Sequence, residues 1–192
     1  QQAEKLFEQL EPKHKASAQT SVYESFAQAY NQLGNIAEAI RYAELSIAIA
    51  TENQLETAEM QGRLIAGRLA LQQNNFAMTQ MQLSRALELA QLLGKEEPIA
   101  SIHLRLGMAY RKLEQYPVSL EHLLQAEQLY LRKSQKEQHT YTQINIAETY
   151  LNMKDVQKAQ SVLTDAMASA EQQQNAHLVA FVNYGLSQLA VT

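Results

Sequence analysis

Hydrophobic positions along the chain recur at the three- and four-residue spacing of an α-helix, and the same pattern returns every 40 residues. "AYNQLGNIAEAI" at 29–40 is matched by "AYRKLEQYPVSL" at 109–120 and "TYLNMKDVQKAQ" at 149–160, with a weaker copy, "LALQQNNFAMTQ", at 69–80. Each copy places apolar and small residues on both sides of a short polar stretch. A fixed period of this length predicts stacked units, none of which buries its apolar face alone.

Each 40-residue unit is interpreted as a hairpin of two antiparallel helices. First helices are expected near 16–33, 56–73, 97–113 and 138–153, and second helices near 36–52, 76–93, 117–134 and 156–173. The chain is then a single array over 1–192, with repeats at 16–53, 56–93, 97–134 and 138–173. Residues 2–11 resemble the second helix of a truncated repeat, and 176–190 the first helix of a fifth repeat. Because the chain opens on Gln1 and both ends fall inside a repeat, we expect it to be a piece of a longer protein.

One aligned position holds only small residues. Ala27, Gly67, Gly107 and Ala147 fall together when the chain is shifted by the repeat period. Glycine inside a helix costs about 0.5–1 kcal/mol relative to alanine, so it needs a compensating reason to be there. We therefore predict that Gly67 and Gly107 lie at close contacts between two helices.

The residues at the aligned repeat positions resemble those of the tetratricopeptide repeat (TPR) family. The resemblance is carried by small, aromatic and turn residues at matching places in two copies: Ala27, Tyr30, Gly34, Ala39 and Ser46, then Gly107, Tyr110, Ser119 and Ala126. It covers nearly the whole chain, although the period exceeds the family's usual one of about 34 residues and the frequent Trp is absent. It implies an all-α, TPR-type α-solenoid whose hairpins form a superhelix. The longer period resembles that of sensor or regulatory regions in bacterial signalling proteins, such as diguanylate cyclases and transcriptional regulators.

The same resemblance implies that the first helices line a concave groove that binds a partner. Arg68 and Arg111 would then lie near the middle of a mostly apolar floor, available to a carboxylate or to backbone carbonyls. A protein or peptide ligand fits such a surface. The expected groove residues are Asn31, Leu64, Arg68, Leu71, Leu104, Met108, Arg111, Tyr141, Ile144, Glu148 and Tyr184.

Composition narrows the function further. The 192 residues carry a net charge of −4 without a basic cluster, which argues against nucleic acid as a partner. The absence of cysteine excludes disulfides and zinc–thiolate sites. No apolar run is long enough to insert into a membrane. We found no residues spaced for catalysis, for a cofactor or for a metal ion, and His103 is expected to be packed in its column.

Two functions from different classes remain open. The first is a binding module that recognises a protein or peptide and relays this to an attached output domain. The second is a structural scaffold, a homodimer formed through the C-terminal helix, on which Phe181, Val182 and Leu186 are expected to be exposed. We expect no enzyme within this chain, so that any catalytic activity would lie in a domain outside it. The sequence leaves a cytoplasmic and a periplasmic location equally open.

Overall fold

The computed structural model describes residues 11–189, and within that range every regular element is an α-helix. The all-α prediction is therefore confirmed. The helices are α1 (Pro12–Gln32), α2 (Ile36–Glu52), α3 (Glu56–Gln72), α4 (Phe76–Leu92), α5 (Glu96–Lys112), α6 (Tyr116–Arg132), α7 (Lys136–Asn152), α8 (Val156–Gln172) and α9 (Ala176–Leu189).

Most helix boundaries agree with the sequence prediction to within two residues. The exception is α1, which begins four residues early because Pro12, with its fixed φ and missing N–H, suits a first helical turn. Glu11 stands just before it as the N-cap residue. The rest of the helix predicted over 2–11 and the last residue of the one predicted over 176–190 lie outside the described residues.

The turns explain why the pattern repeats. After each of the first eight helices the chain passes through one residue with positive φ, at Gly34, Gln54, Asn74, Gly94, Glu114, Ser134, Lys154 and Gln174. The next N–H then donates back to the preceding helix, as from Asn35 to the Tyr30 carbonyl at 2.9 Å. This closure satisfies carbonyls that the helix end leaves unpaired. One helix and its turn therefore occupy 20 residues, and a hairpin occupies 40.

The chain forms two compact units, the first ending at Glu96 and the second beginning at Glu97. In the first, α1 packs against α2 and α3, and α3 against α2 and α4. Its core joins small residues to larger aliphatic ones: Ala27, Ala39, Ala43, Ile65, Ala66 and Leu69. In the second, α7 packs against α6, α8 and α9, and α9 also packs against α8. The prediction of one array over both units stays a prediction.

Close helix contacts at the internal glycines are confirmed. A Cβ on Gly107 would lie 2.5 Å from Leu123 Cγ, and one on Gly67 would lie 2.5 Å from Leu83 Cδ2. Both distances are far below ordinary carbon–carbon contact, so only glycine lets each leucine seat against the facing helix. These contacts close the α3–α4 and α5–α6 hairpins.

Candidate functional site

The residues expected in a groove divide between the two units. In the first unit, Asn31, Leu64, Arg68 and Leu71 are all half-buried on the first helices of their hairpins. The Nε of Arg68 is buried and has no hydrogen-bond partner among the described residues. The described part of the first unit thus shows no ion pair to the Arg68 guanidinium.

The second unit holds a more complete constellation around Arg111, at the end of α5. Its Nη2 donates to Glu148 Oε2 at 2.6 Å and to Asn145 Oδ1 at 3.3 Å. Asn145 is fixed in turn, because its Nδ2 donates to the Tyr141 carbonyl at 2.9 Å. Both partners lie on α7, so the guanidinium links the two first helices of adjacent hairpins.

This guanidinium is unusually enclosed. The Arg111 side chain is 9% exposed and that of Glu148 is 30% exposed. Burial of a charge is costly unless it is paired and hydrogen-bonded, which Glu148 and Asn145 accomplish at Nη2. The Nε of Arg111 is nevertheless buried without a partner among the described residues. Among the described residues, one buried donor of this guanidinium is thus left unsatisfied.

A cleft of about 340 Å³ opens beside the ion pair. Its walls combine Arg111 and Glu148 with Leu151 on α7 and Tyr184 on α9. Tyr184 is 61% exposed and Phe181, one helical turn earlier, is 50% exposed. The Phe181 ring meets Tyr141 edge-on, with ring centroids 6.2 Å apart. Charged donors and acceptors thus stand next to an aromatic surface that faces solvent.

The apolar floor differs from the expectation. Leu104 and Ile144 are buried within the hydrophobic cores of the second unit, and Met108 and Tyr141 pack against the same cores. Val182, expected to be exposed, is fully buried. These side chains pack between neighbouring helices. The exposed apolar surface comes instead from Tyr184 and Phe181.

Two features were missed by reasoning from sequence. Asn145 stands in a column with Ser25, Ile65 and Arg105, so no repeat signal marks it. His103 and His122 face each other across α5 and α6 with Nδ1 atoms 2.9 Å apart. Spacing along one helix does not reveal this pair, because the two histidines lie on different helices.

Residues 11–189 include no group of three or more His, Asp or Glu side chains arranged to hold a metal ion. In the same range no helix combines the length and the apolar character needed to cross a membrane.

Comparison with known proteins identifies the repeat. A tetratricopeptide repeat model matches residues 98–172 and a second one matches residues 20–53, which together make up more than half of the chain. Among curated protein sequences none matches.

Solved structures show the same fold at low sequence identity. The apo form of RapI is 17% identical over 98% of this chain and 54% of its own, with a TM-score of 0.80. A Rap protein complexed with competence and sporulation factor is 17% identical over 90% of this chain and 47% of its own, with a TM-score of 0.69. YrrB, described as a TPR protein with an unusual peptide-binding site, is 15% identical over 87% of this chain and 82% of its own, with a TM-score of 0.59. The chain spans about half the length of RapI.

The two family matches agree with the internal period, the helical hairpins and the glycine contacts in indicating one repeat family. The chain belongs to the tetratricopeptide repeat family.

Proposed function

We propose that this chain is a protein- or peptide-binding TPR module whose ligand occupies the cleft beside Arg111 in the second unit. The observation that carries the proposal is the enclosed Arg111–Glu148 ion pair, 2.6 Å long, which lines a cleft beside exposed aromatic rings. Groups held this way are pre-organised, so a ligand that uses them pays little ordering cost. The neighbouring exposed aromatics supply the contact area that polar groups lack.

The electrostatics favour one kind of ligand group. Glu148 already neutralises Arg111 at 2.6 Å, so a second carboxylate would meet a negative charge as well as a positive one. A backbone carbonyl accepts a hydrogen bond without that repulsion. Tyr184 beside the cleft suits an apolar side chain of the same ligand. The ligand is therefore a peptide segment that pairs a backbone carbonyl with an apolar anchor.

The parent protein, in this proposal, is a bacterial signalling protein such as a diguanylate cyclase or transcriptional regulator, with this chain as its sensor or regulatory region. The structural likeness to two Rap proteins, one of them complexed with competence and sporulation factor, supports it. The likeness to YrrB, whose description includes a peptide-binding site, supports the peptide. The 40-residue period is the sequence feature in its favour.

The proposal is tested by capturing partners on the immobilised chain and mapping the bound segment with overlapping peptides. Tyr184→Ala removes an exposed ring and is expected to weaken binding roughly 5- to 30-fold, as loss of an aromatic anchor does. Leu124→Ala is the matched control, because it truncates another exposed hydrophobic side chain, on α6. Equal affinities of the Tyr184→Ala variant and the wild type would show that the peptide does not bind at this cleft.

A second variant tests the polar half of the site. Arg111→Lys keeps a positive charge toward Glu148 but loses the planar set of donors. We expect affinity for the mapped peptide to fall roughly tenfold while the helical circular dichroism spectrum is unchanged. A peptide that binds this variant as tightly as the wild type would show that Arg111 serves packing only.

The exposed Phe181 and Tyr184 also favour a second candidate function, a scaffold that forms a homodimer through α9. Exposed aromatic surface of this kind is typical of interfaces. Sedimentation equilibrium at increasing concentration checks it, with Phe181→Ser expected to shift a dimer to monomer. A monomeric wild type at high concentration would exclude this candidate and leave the peptide site standing.

A further inference from the structure

Two imidazoles meet across the α5–α6 hairpin, away from the groove face. The Nδ1 atoms of His103 and His122 are 2.9 Å apart, and the ring centroids are separated by 5.1 Å. Tyr110, about two turns further along α5, stacks on the His122 ring at 5.3 Å with an interplanar angle of 7°. The stacking fixes the plane of the His122 ring, and in this orientation its Nδ1 faces that of His103.

In two other hairpins the equivalent register is also bridged by a pair of side chains. Tyr23 and Tyr42 meet ring to ring at 5.8 Å between α1 and α2. Arg63 Nη1 donates to Gln82 Oε1 at 2.9 Å between α3 and α4. The fold thus holds two side chains of variable type face to face, and in the third hairpin both carry nitrogen ligands.

The protonation state of the pair suits a cation. Burial, followed by the neighbouring His122, lowers the pKa of His103 to about 4. Burial also lowers the pKa of His122, while the Glu121 carboxylate opposes that shift. Both rings are therefore neutral at pH 7. A tautomer change that moves the shared proton to an Nε2 leaves a lone pair on each Nδ1.

We propose that His103 and His122 form a binding site for a divalent transition-metal ion, ligated by their two Nδ1 atoms. Metal–imidazole bonds of about 2.0–2.1 Å, set on nitrogens 2.9 Å apart, give an angle of about 90° at the metal. That angle belongs to square-planar and octahedral ions and is narrow for tetrahedral zinc. Both rings are only half-buried, which leaves room for water at the remaining positions. The site selects Ni²⁺ or Cu²⁺ over Zn²⁺.

The charge around the pair agrees with this assignment. Glu121 precedes His122 on α6, and its carboxylate acts on that ring strongly enough to oppose the effect of burial. Tyr110 covers one face of His122 without contributing a charge. A bound cation would thus gain attraction from Glu121 and would take the place of the hydrogen bond between the two Nδ1 atoms.

The test is thermal unfolding of the full 192-residue chain at pH 7.5 in chelator-treated buffer, with and without NiCl₂. At a metal concentration about ten times Kd, binding to the folded state is expected to raise Tm by roughly 3–6 °C. ZnCl₂ at the same concentration should raise it less. The shift should disappear at pH 4, where protons compete for both rings. An unchanged Tm with both NiCl₂ and CuCl₂ overturns the proposal.

The α3–α4 hairpin supplies a matched control. The double variant His103→Arg with His122→Gln copies the Arg63–Gln82 bridge at the same register, so its Tm without metal should lie close to that of the wild type. Its nickel-induced shift should be lost, whereas His177→Gln, at an exposed histidine on α9, should keep the full shift. Equal shifts in the double variant and the wild type would place the metal elsewhere. Cu²⁺ electron paramagnetic resonance should show coupling to two nitrogens in the wild type and lose it in the double variant.

Discussion

The α3–α4 hairpin and the α5–α6 hairpin share a backbone and differ in what they hold between their helices. Both place a glycine, Gly67 or Gly107, so near a leucine of the second helix that an added Cβ would lie 2.5 Å from it. At the half-buried bridge, the first hairpin has an arginine–glutamine pair and the other a pair of histidines. The close glycine contact is thus common to both hairpins, whereas the pair of side chains at the bridge position differs in its chemistry.

The largest effect on stability is expected from a substitution that fills the glycine–leucine contact shared by the two hairpins. In Gly107→Leu the new side chain would have to displace Leu123 and would also crowd the Ser119 carbonyl, 3.1 Å from the first added carbon. We expect unfolding free energy to fall by about 3 kcal/mol, at the upper end for overpacking. Urea unfolding followed by circular dichroism measures it.

Ser187→Leu provides the control for that experiment. Ser187 occupies the same register on α9 and is exposed, so the same side chain there should change stability by only about 0.5 kcal/mol. If both substitutions cost the same, helix propensity and not the close contact would explain the glycine.

The glycine contact also shows how far sequence reasoning extends. Gly67 and Gly107 were predictable because a glycine inside a helix is costly and a fixed period places it against the same partner. The helix boundaries followed for the same reason, since polar turn residues recur in phase with the apolar positions. Periodicity therefore predicts the features common to the repeats, namely the helix boundaries and the close glycine contacts.

The candidate site is what the repeats do not share, and it was predicted less well. Arg111 and Glu148 were both expected in the groove, yet nothing in the sequence indicated that they pair at 2.6 Å or that Asn145 completes the set. Leu104 was expected on the groove floor because its column faces that side, but its size lets it pack into the core. Such outcomes depend on contacts between helices that a one-dimensional pattern does not specify.

Acidic pH is expected to destabilise the histidine bridge of the α5–α6 hairpin but not the arginine–glutamine bridge of the α3–α4 hairpin. The pKa of His103 is about 4 in the fold against 6.5 when unfolded, so the unfolded chain binds more protons between those values. The stabilisation is complete above pH 6.5 and is lost as pH falls toward 4. The loss should be about 1–2 kcal/mol, allowing for the solvent screening of half-exposed rings.

The His103→Arg/His122→Gln variant isolates this loss from the titration of the carboxylates. Urea unfolding at pH 7 and pH 4 should show the wild type losing about 1–2 kcal/mol more than the variant between the two values. Parallel losses would mean that the two rings titrate in the fold as they do in the unfolded chain.

The third prediction concerns the turns of the two hairpins. Asn74 and Glu114 both adopt positive φ, at 56° and 61°, but asparagine tolerates that conformation and glutamate does not. Glu114→Gly should therefore stabilise the chain by about 1 kcal/mol, measured by urea unfolding. Gly34→Ala, at a φ of 76°, is the reverse substitution and should destabilise by a similar amount. A loss of stability in Glu114→Gly would show that its side chain contributes more than its backbone costs.

The smallest effect lies at the start of the second helix. In the α3–α4 hairpin the Asn75 side chain accepts a hydrogen bond from the Met78 N–H at 3.1 Å, whereas Gln115 makes no such cap on α6. Gln115→Asp supplies an acceptor of the right length for the Val118 N–H and a negative charge at the helix N-terminus. The gain should be about 0.5 kcal/mol, since Pro117 already removes one of the unpaired N–H groups of that turn. Asn75→Gln should lose a similar amount, and a neutral result in both would mean that water caps either helix equally well.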